Sequence, residues 1–316
     1  MRTAVVSSFL LSISLLLSAC VSAPQTAQLA QQVPSALSAP VNLDNVPFFP
    51  QEDYQCGPAA LATVLQASAV NVLPEQLVSQ VYIPARRGSL QIEMLAAARR
   101  YGRLPYVLDG SLAEMLEEVG TGKPVLVMQN LGLSRLPQWH YAVVVGYDLG
   151  RSEIRLRSGT IRDYVIPLSL FEKTWARAEH WAVVVLEPGQ LPLHADETTY
   201  FQHVADFEFA QEGEPALRAW QAGLERWPGS RLLSMGLSNQ LYAQGRLQES
   251  AEVLQKLLQA DNSIAAAHNN LAWILSESGE SDLALSHARQ AVALAPDEEM
   301  FQATLHAVQS KISSGK

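Results

Sequence analysis

Residues 51–66 read Gln51-Glu52-Asp53-Tyr54-Gln55-Cys56-Gly57-Pro58-Ala59-Ala60-Leu61-Ala62-Thr63-Val64-Leu65-Gln66. Pro58 brings the preset φ favoured in the first turn of a helix, and 59–66 continues with helix formers in apolar spacing. Cys56 is therefore expected just before a helix N-terminus. There, unpaired backbone N–H groups and the positive end of the macrodipole favour the thiolate, the nucleophilic form. Gln51, five residues upstream on an irregular segment, is a neutral donor able to point at an oxyanion forming beside the sulfur. These are two parts of a thiol hydrolase; the third is a base.

Seven histidines compete for that place. His268, His287 and His306 fall in a helical region, and His194 and His203 in or after a linker, so these five read as surface residues. His140-Tyr141-Ala142-Val143-Val144-Val145 and His180-Trp181-Ala182-Val183-Val184-Val185 are near copies. Each sets a histidine at the mouth of a buried strand, where a general base is held rigidly. His140 is preferred because Gly146-Tyr147-Asp148-Leu149-Gly150-Arg151 reads as a hairpin turn that brings a second strand, 153–157, back beside it. His180 is the alternative.

The combination of Gln51, Cys56-Gly57-Pro58-Ala59 followed by Leu61-Ala62, and His140-Tyr141 leading a valine run resembles the papain-like superfamily. It is most similar to the bacterial double-glycine leader peptidases that trim bacteriocin precursors, over residues 45 to 186. The resemblance implies an α+β fold, an antiparallel sheet plus helices. It also implies that Gln51 lines the oxyanion hole, Cys56 attacks the peptide carbonyl and His140 takes and returns the proton. That family usually sets an Asp at the end of the strand after the histidine, where this chain reads Leu156-Arg157-Ser158-Gly159. A hairpin centred on Leu149 and Gly150 puts position 140 opposite about position 159, so Ser158 is expected beside His140. Its hydroxyl can accept from Nδ1, yet it cannot balance an imidazolium charge as a carboxylate does. Asp148 lies eight residues, about 26 Å, along the same strand; Asn130 and Asp163 stay open as alternatives.

The amino terminus adds a compartment. Arg2, an apolar run from Phe9 to Leu17 broken only by serines, and Leu17-Ser18-Ala19-Cys20 have the layout of a secretory signal. Leu-Ser-Ala before Cys20 resembles the bacterial lipobox, which implies acylation of Cys20, and Val21 after it points to the outer membrane, facing the periplasm. Acyl chains, at about 0.8 kcal/mol per buried methylene, then anchor the chain in the membrane. Residues 20–44 are expected as the lipidated cysteine and a flexible tether. With Cys20 acylated, Cys56 has no intramolecular partner in a compartment that oxidises thiols.

Beyond the Pro- and Gly-containing stretch 187–192 the chain loses its strand patterns. Leu241 to Ala251 aligns with Leu275 to Leu285, and Gly245 and Gly279 are 34 positions apart. That period is the tetratricopeptide signature, with glycine at the turn and small residues such as Ala284 and Ala291 where two helices cross. An irregular third copy carries Gly213, Ala216, Trp220 and Trp227-Pro228. The expected organisation is a signal peptide over 1–19, the tether over 20–44, a papain-like domain over 45–188, a linker over 189–198 and an all-α tetratricopeptide-like array over 199–312.

With 22 Lys and Arg against 31 Asp and Glu the formal net charge is −9, which repels nucleic acid. No phosphate-cradling glycine loop or His-Glu-x-x-His pair occurs, and one unacylated cysteine cannot build a sulfur-rich zinc site, so no metal or cofactor is expected. The expected function is a lipid-anchored cysteine peptidase facing the periplasm, its repeats recruiting a protein substrate or partner. The alternatives are a peptide-binding adaptor of impaired activity and a hydrolase of cell-wall peptide stems.

Overall fold

The computed structural model describes residues 23–50 and 55–314. In chain order the elements are α1 (Pro24–Gln31), β1 (Val41–Asn42), α2 (Cys56–Ala67), α3 (Pro74–Val81), β2 (Tyr82–Ile83), β3 (Gly88–Ser89), α4 (Gln91–Arg100) and β4 (Leu104–Val107). There follow α5 (Leu112–Gly120), β5 (Val125–Asn130), β6 (Trp139–Asp148), β7 (Glu153–Ser158), β8 (Ile161–Pro167), α6 (Leu168–Ala176) and β9 (Ala182–Leu186). Seven helices close the chain: α7 (Glu197–Ala210), α8 (Glu214–Arg226), α9 (Arg231–Ala243), α10 (Leu247–Ala260), α11 (Ala265–Glu277), α12 (Ser281–Leu294) and α13 (Glu299–Ser314). Internal contacts divide the chain into two units, Met1–Leu90 with Val107–Val184 and Gln91–Tyr106 with Val185–Lys316.

The first unit is built on sheet strands in the order β9-β5-β6-β7-β8, with β1 added to β6. The pairs β9–β5, β5–β6, β6–β7, β7–β8 and β1–β6 are antiparallel. Strand β6 is central, and its Ala142 to Val145 run is buried throughout, as a strand covered on both faces requires. At the sheet edge β8 is mostly exposed and carries Arg162 and Asp163, charges that discourage further pairing. Helix α2 buries every residue from Gly57 to Leu65, which is why its Ala-rich sequence, with no charge, packs as an internal helix against β6. Between Val144 and Gly146 the β6–β7 ladder shifts register. At that point β1 crosses so closely that a Cβ on Gly146 would overlap the Val41 carbonyl oxygen.

Part of the stretch expected as a flexible tether is instead ordered. Residues 24–31 form α1, whose Gln25 and Thr26 N–H groups donate to the buried Glu172 carboxylate at 2.9 and 2.7 Å. The carboxylate thus meets two of the donors that a helix N-terminus leaves unpaired. Gln25 also donates through Nε2 to the Gly110 carbonyl and accepts from the Leu112 N–H. A Pro at the first helical position supplied the start signal. The composition, rich in Ala and Gln, is equally that of a helix.

In the second unit the seven terminal helices pack in sequence. Gly213, Gly245 and Gly279 sit at the inter-helix turns with φ of +83°, +72° and +85°, a conformation that favours glycine. Ala284, Ala288 and Ala291 of α12 are fully buried, and Leu254, Ile264, Leu271 and Leu275 share a core. This is the all-α array that the 34-residue period implies. Helix α4 belongs to the same unit and is tied to α7 by Arg99 and Asp206 at 2.6 Å.

Candidate active site

Cys56 is the first residue of α2, with Gln55 as the cap. The helix therefore begins two residues earlier than Pro58. The half-buried thiol feels the backbone N–H groups of Tyr141, Gly57 and Cys56 itself, all of which favour the thiolate. Burial outweighs them and pushes the thiol above its ordinary value. The expectation that the helix terminus would favour a thiolate is thus right about the N–H groups and wrong about the balance.

The Tyr141 contact brings the sulfur to β6 one residue past His140. His140 lies opposite Gln129 in the β5–β6 ladder, and burial holds its imidazole below the usual histidine range. Both shifts favour the uncharged forms, a thiol and a neutral imidazole. His140 Nε2 stands 2.8 Å from Ser158 Oγ. The serine thus engages Nε2 where Nδ1 was expected. In the tautomer with Nε2–H donating to Oγ, Nδ1 carries the lone pair a base needs.

The strand register explains the reach. Asp148 pairs with Glu153, so the turn centres on Gly150 and Arg151, one residue later than expected. The bulge at Val145 takes back half of that shift, Val143 pairs with Arg157 and Val144 with Leu156, and position 140 falls opposite 160 where 159 was expected. Ser158 faces position 142 and meets His140 diagonally.

The open alternatives for the orienting group are engaged elsewhere. Asn130 Oδ1 accepts from the N–H groups of Gly132 and Gln138 at 3.0 and 2.9 Å and so closes the β5–β6 hairpin. Asp163 pairs with Arg157 at 2.6 Å, and Asp148 lies opposite Glu153 at the far end of β6. His180 precedes β9, which lies on the other side of β5 from β6. Its ring packs edge-on against Trp175 with centroids 4.7 Å apart. Of the two candidate bases, His140 is the one that adjoins the thiol's β6 contact. Gln51 and Cys20 lie outside the described residues.

Two features escaped the sequence reading. Arg157, 2% exposed, donates to Asp163, to the Arg162 carbonyl and to the carbonyls of Leu43, Asp44 and Val46. It thereby fixes the segment that leads to Cys56. The signal was an arginine between Leu156 and Ser158 on a strand next to the sheet's centre. The remaining histidines also differ from expectation, since His268 is buried and its Nδ1 meets His287 Nδ1 at 2.8 Å, while His203 is partly buried against Tyr106. Among the described residues no group of three or more His, Cys, Asp or Glu side chains is placed to hold a metal ion.

Residues 43–183 match the Peptidase_C39 like family. Residues 210–263 and 241–299 match the tetratricopeptide repeat. The crystal structure of a C39-like protein from Bacillus anthracis aligns with a TM-score of 0.40 and 20% identity, over 47% of this chain and 98% of its own. The first tetratricopeptide domain of human RPAP3 aligns at 0.35 with 9% identity, over 37% of this chain and 93% of its own. The repeat domain of Sgt2 from Aspergillus fumigatus aligns at 0.33 with 13% identity, over 38% and 78%. The curated proteins hold no match.

Proposed function

We propose that this chain, a C39-like peptidase domain followed by tetratricopeptide repeats, is a cysteine peptidase anchored by lipid on Cys20 and facing the periplasm. His140 Nδ1 takes the Cys56 proton and the sulfur attacks the peptide carbonyl. Gln51 and the Cys56 N–H hold the oxyanion, and the imidazolium returns its proton to the leaving amine. Water, activated by the same imidazole, then hydrolyses the thioester. Tetratricopeptide arrays present extended surfaces to protein partners, and here they recruit the substrate or an envelope partner.

One observation carries the reading: the Tyr141 N–H favours the Cys56 thiolate, and the preceding residue, His140, is held through Nε2 by Ser158. The test is cleavage of a mixed periplasmic peptide pool by the mature protein. Products that vanish in Cys56→Ala and in His140→Ala support it. Products that persist in both variants refute it, and purified peptidoglycan as a second substrate separates cell-wall stems from proteins.

A second reading, a peptide-binding adaptor with weakened chemistry, draws on the raised Cys56 thiol and on a serine in the orienting place. Peptide capture by a chain that yields no Cys56-dependent products would favour it.

A further inference from the structure

The hairpin that joins β5 to β6 ends beside the candidate base and exposes four large apolar side chains within nine residues. Leu131 is 47% exposed, Leu133 68%, Leu136 76% and Trp139 52%. Between Leu131 and Trp139 the only charged residue is Arg135, in a chain of net charge −9. A tip of leucines with a tryptophan at its base and a lone cation has the chemistry of a segment that sits in a lipid interface.

The occupant is set by where the amino-terminal helix is held. Gln25 of α1 donates to the Gly110 carbonyl, and Gly110 packs on the Cβ of His180. The next residue, Trp181, accepts from Met128 near the end of β5, and Leu131 begins the hairpin directly after β5. The Arg177 guanidinium, on the turn after α6, bonds the Gly132 carbonyl, while Glu172 of α6 caps α1. The start of α1 and the apolar hairpin are therefore at one end of the sheet. Cys20 precedes α1's cap, Ala23, by three residues, a span of at most about 11 Å.

We infer that the hairpin 131–139 enters the bilayer that holds the Cys20 acyl chains, so that the His140 end of β6 lies at the membrane surface. The inference rests on the lipidation of Cys20 put forward above. It makes the domain a membrane-apposed body, with substrate drawn from chains at the lipid interface.

The test uses the lipidated full chain with Cys56→Ser and Leu136→Cys, labelled at position 136 with a polarity-sensitive fluorophore. It is placed in vesicles of phosphatidylethanolamine and phosphatidylglycerol, with or without doxyl-bearing lipid. Arg151→Cys in the same background reports the far end of β6. Emission from position 136 is expected to fall roughly twofold with doxyl lipid, and emission from position 151 to stay unchanged. Equal insensitivity at both positions overturns the inference. So does shielding of position 136 from aqueous iodide without quenching by doxyl lipid, which means that protein covers the hairpin. Mass spectrometry of the amino terminus tests lipidation separately, and an unmodified Cys20 removes the anchor on which the inference depends.

Discussion

His140 Nε2 and Ser158 Oγ are 2.8 Å apart, and this single contact stands where the double-glycine peptidases set an aspartate. A neutral hydroxyl orients the ring but contributes little to stabilising the imidazolium. Ser158→Ala removes a hydrogen bond of about 1 kcal/mol, so alkylation of Cys56 by iodoacetamide at pH 7 is expected to slow about fivefold. Ser158→Asp restores a carboxylate and is expected to speed it about tenfold. Identical rates in the wild type and both variants would remove Ser158 from the mechanism.

Burial raises the Cys56 thiol and lowers the His140 imidazole, and both shifts favour the uncharged forms. The rate of Cys56 alkylation should therefore rise about tenfold per pH unit through neutrality and level off only above the ordinary thiol range. The acid limb of any peptidase activity should fall below the usual histidine pKa, because the base stays deprotonated to lower pH. An alkylation rate already flat at pH 6 contradicts this and indicates a resting thiolate–imidazolium pair.

The sequence was most legible where local chemistry and fold agree. Pro58 and the uncharged run after it announced α2, the alternating turn and valine run announced β6 and its return, and Gly245 and Gly279 announced the repeats. What stayed hidden depends on distant partners. Residues 24–31 read as a tether because nothing local reveals that Glu172, 146 residues beyond Thr26, caps them. The register was off by one because the turn centres on Gly150 and Arg151, one residue later than expected, with the bulge at Val145 offsetting half of that shift. His268 is buried because α12 brings His287 to it. The thiol's balance could not be read from helix position, since burial by the whole domain outweighs the N–H groups.

His203 gives the second unit a pH dependence. Burial, and then the Arg99 cation, push its imidazole from the usual 6.5 down to about 4, against the opposing pull of Asp206 and Asp196. At neutral pH the side chain is uncharged in both folded and unfolded states. As pH falls below about 6.5 the unfolded chain takes the proton first, so stability is lost progressively down to about pH 4, by at most about 3 kcal/mol. His203→Gln should flatten the fall in melting temperature across that window. A wild type and variant with parallel pH profiles would show that the imidazole is solvated.

Gly279 tests the repeat turns. Its φ of +85° suits glycine, and a Cβ there meets nothing within 4 Å, so the cost of Gly279→Ala is backbone strain alone. About 1 kcal/mol is expected, which lowers the melting temperature of the repeat unit by about 2–4 °C. Gly236→Ala is the contrasting case, because its Cβ would lie 2.7 Å from the Trp220 ring; it should cost more. Equal losses at the two positions would mean that the α8–α9 packing relaxes freely.

Glu172 decides whether α1 is part of the domain or a tether. Its carboxylate is buried and accepts the Gln25 and Thr26 N–H groups, so Glu172→Ala leaves two donors without their acceptor, at about 1–3 kcal/mol. The helix then keeps chiefly Leu29 and the Gln25 bonds to Gly110 and Leu112. Amide exchange at residues 25–31 should accelerate at least about fivefold in the variant, while β6 keeps its protection. Glu172→Gln, whose amide oxygen still accepts, should recover part of the protection. Exchange unchanged in Glu172→Ala would show that α1 is held by packing alone, and exchange accelerated throughout β6 as well would show that Glu172 supports the whole sheet.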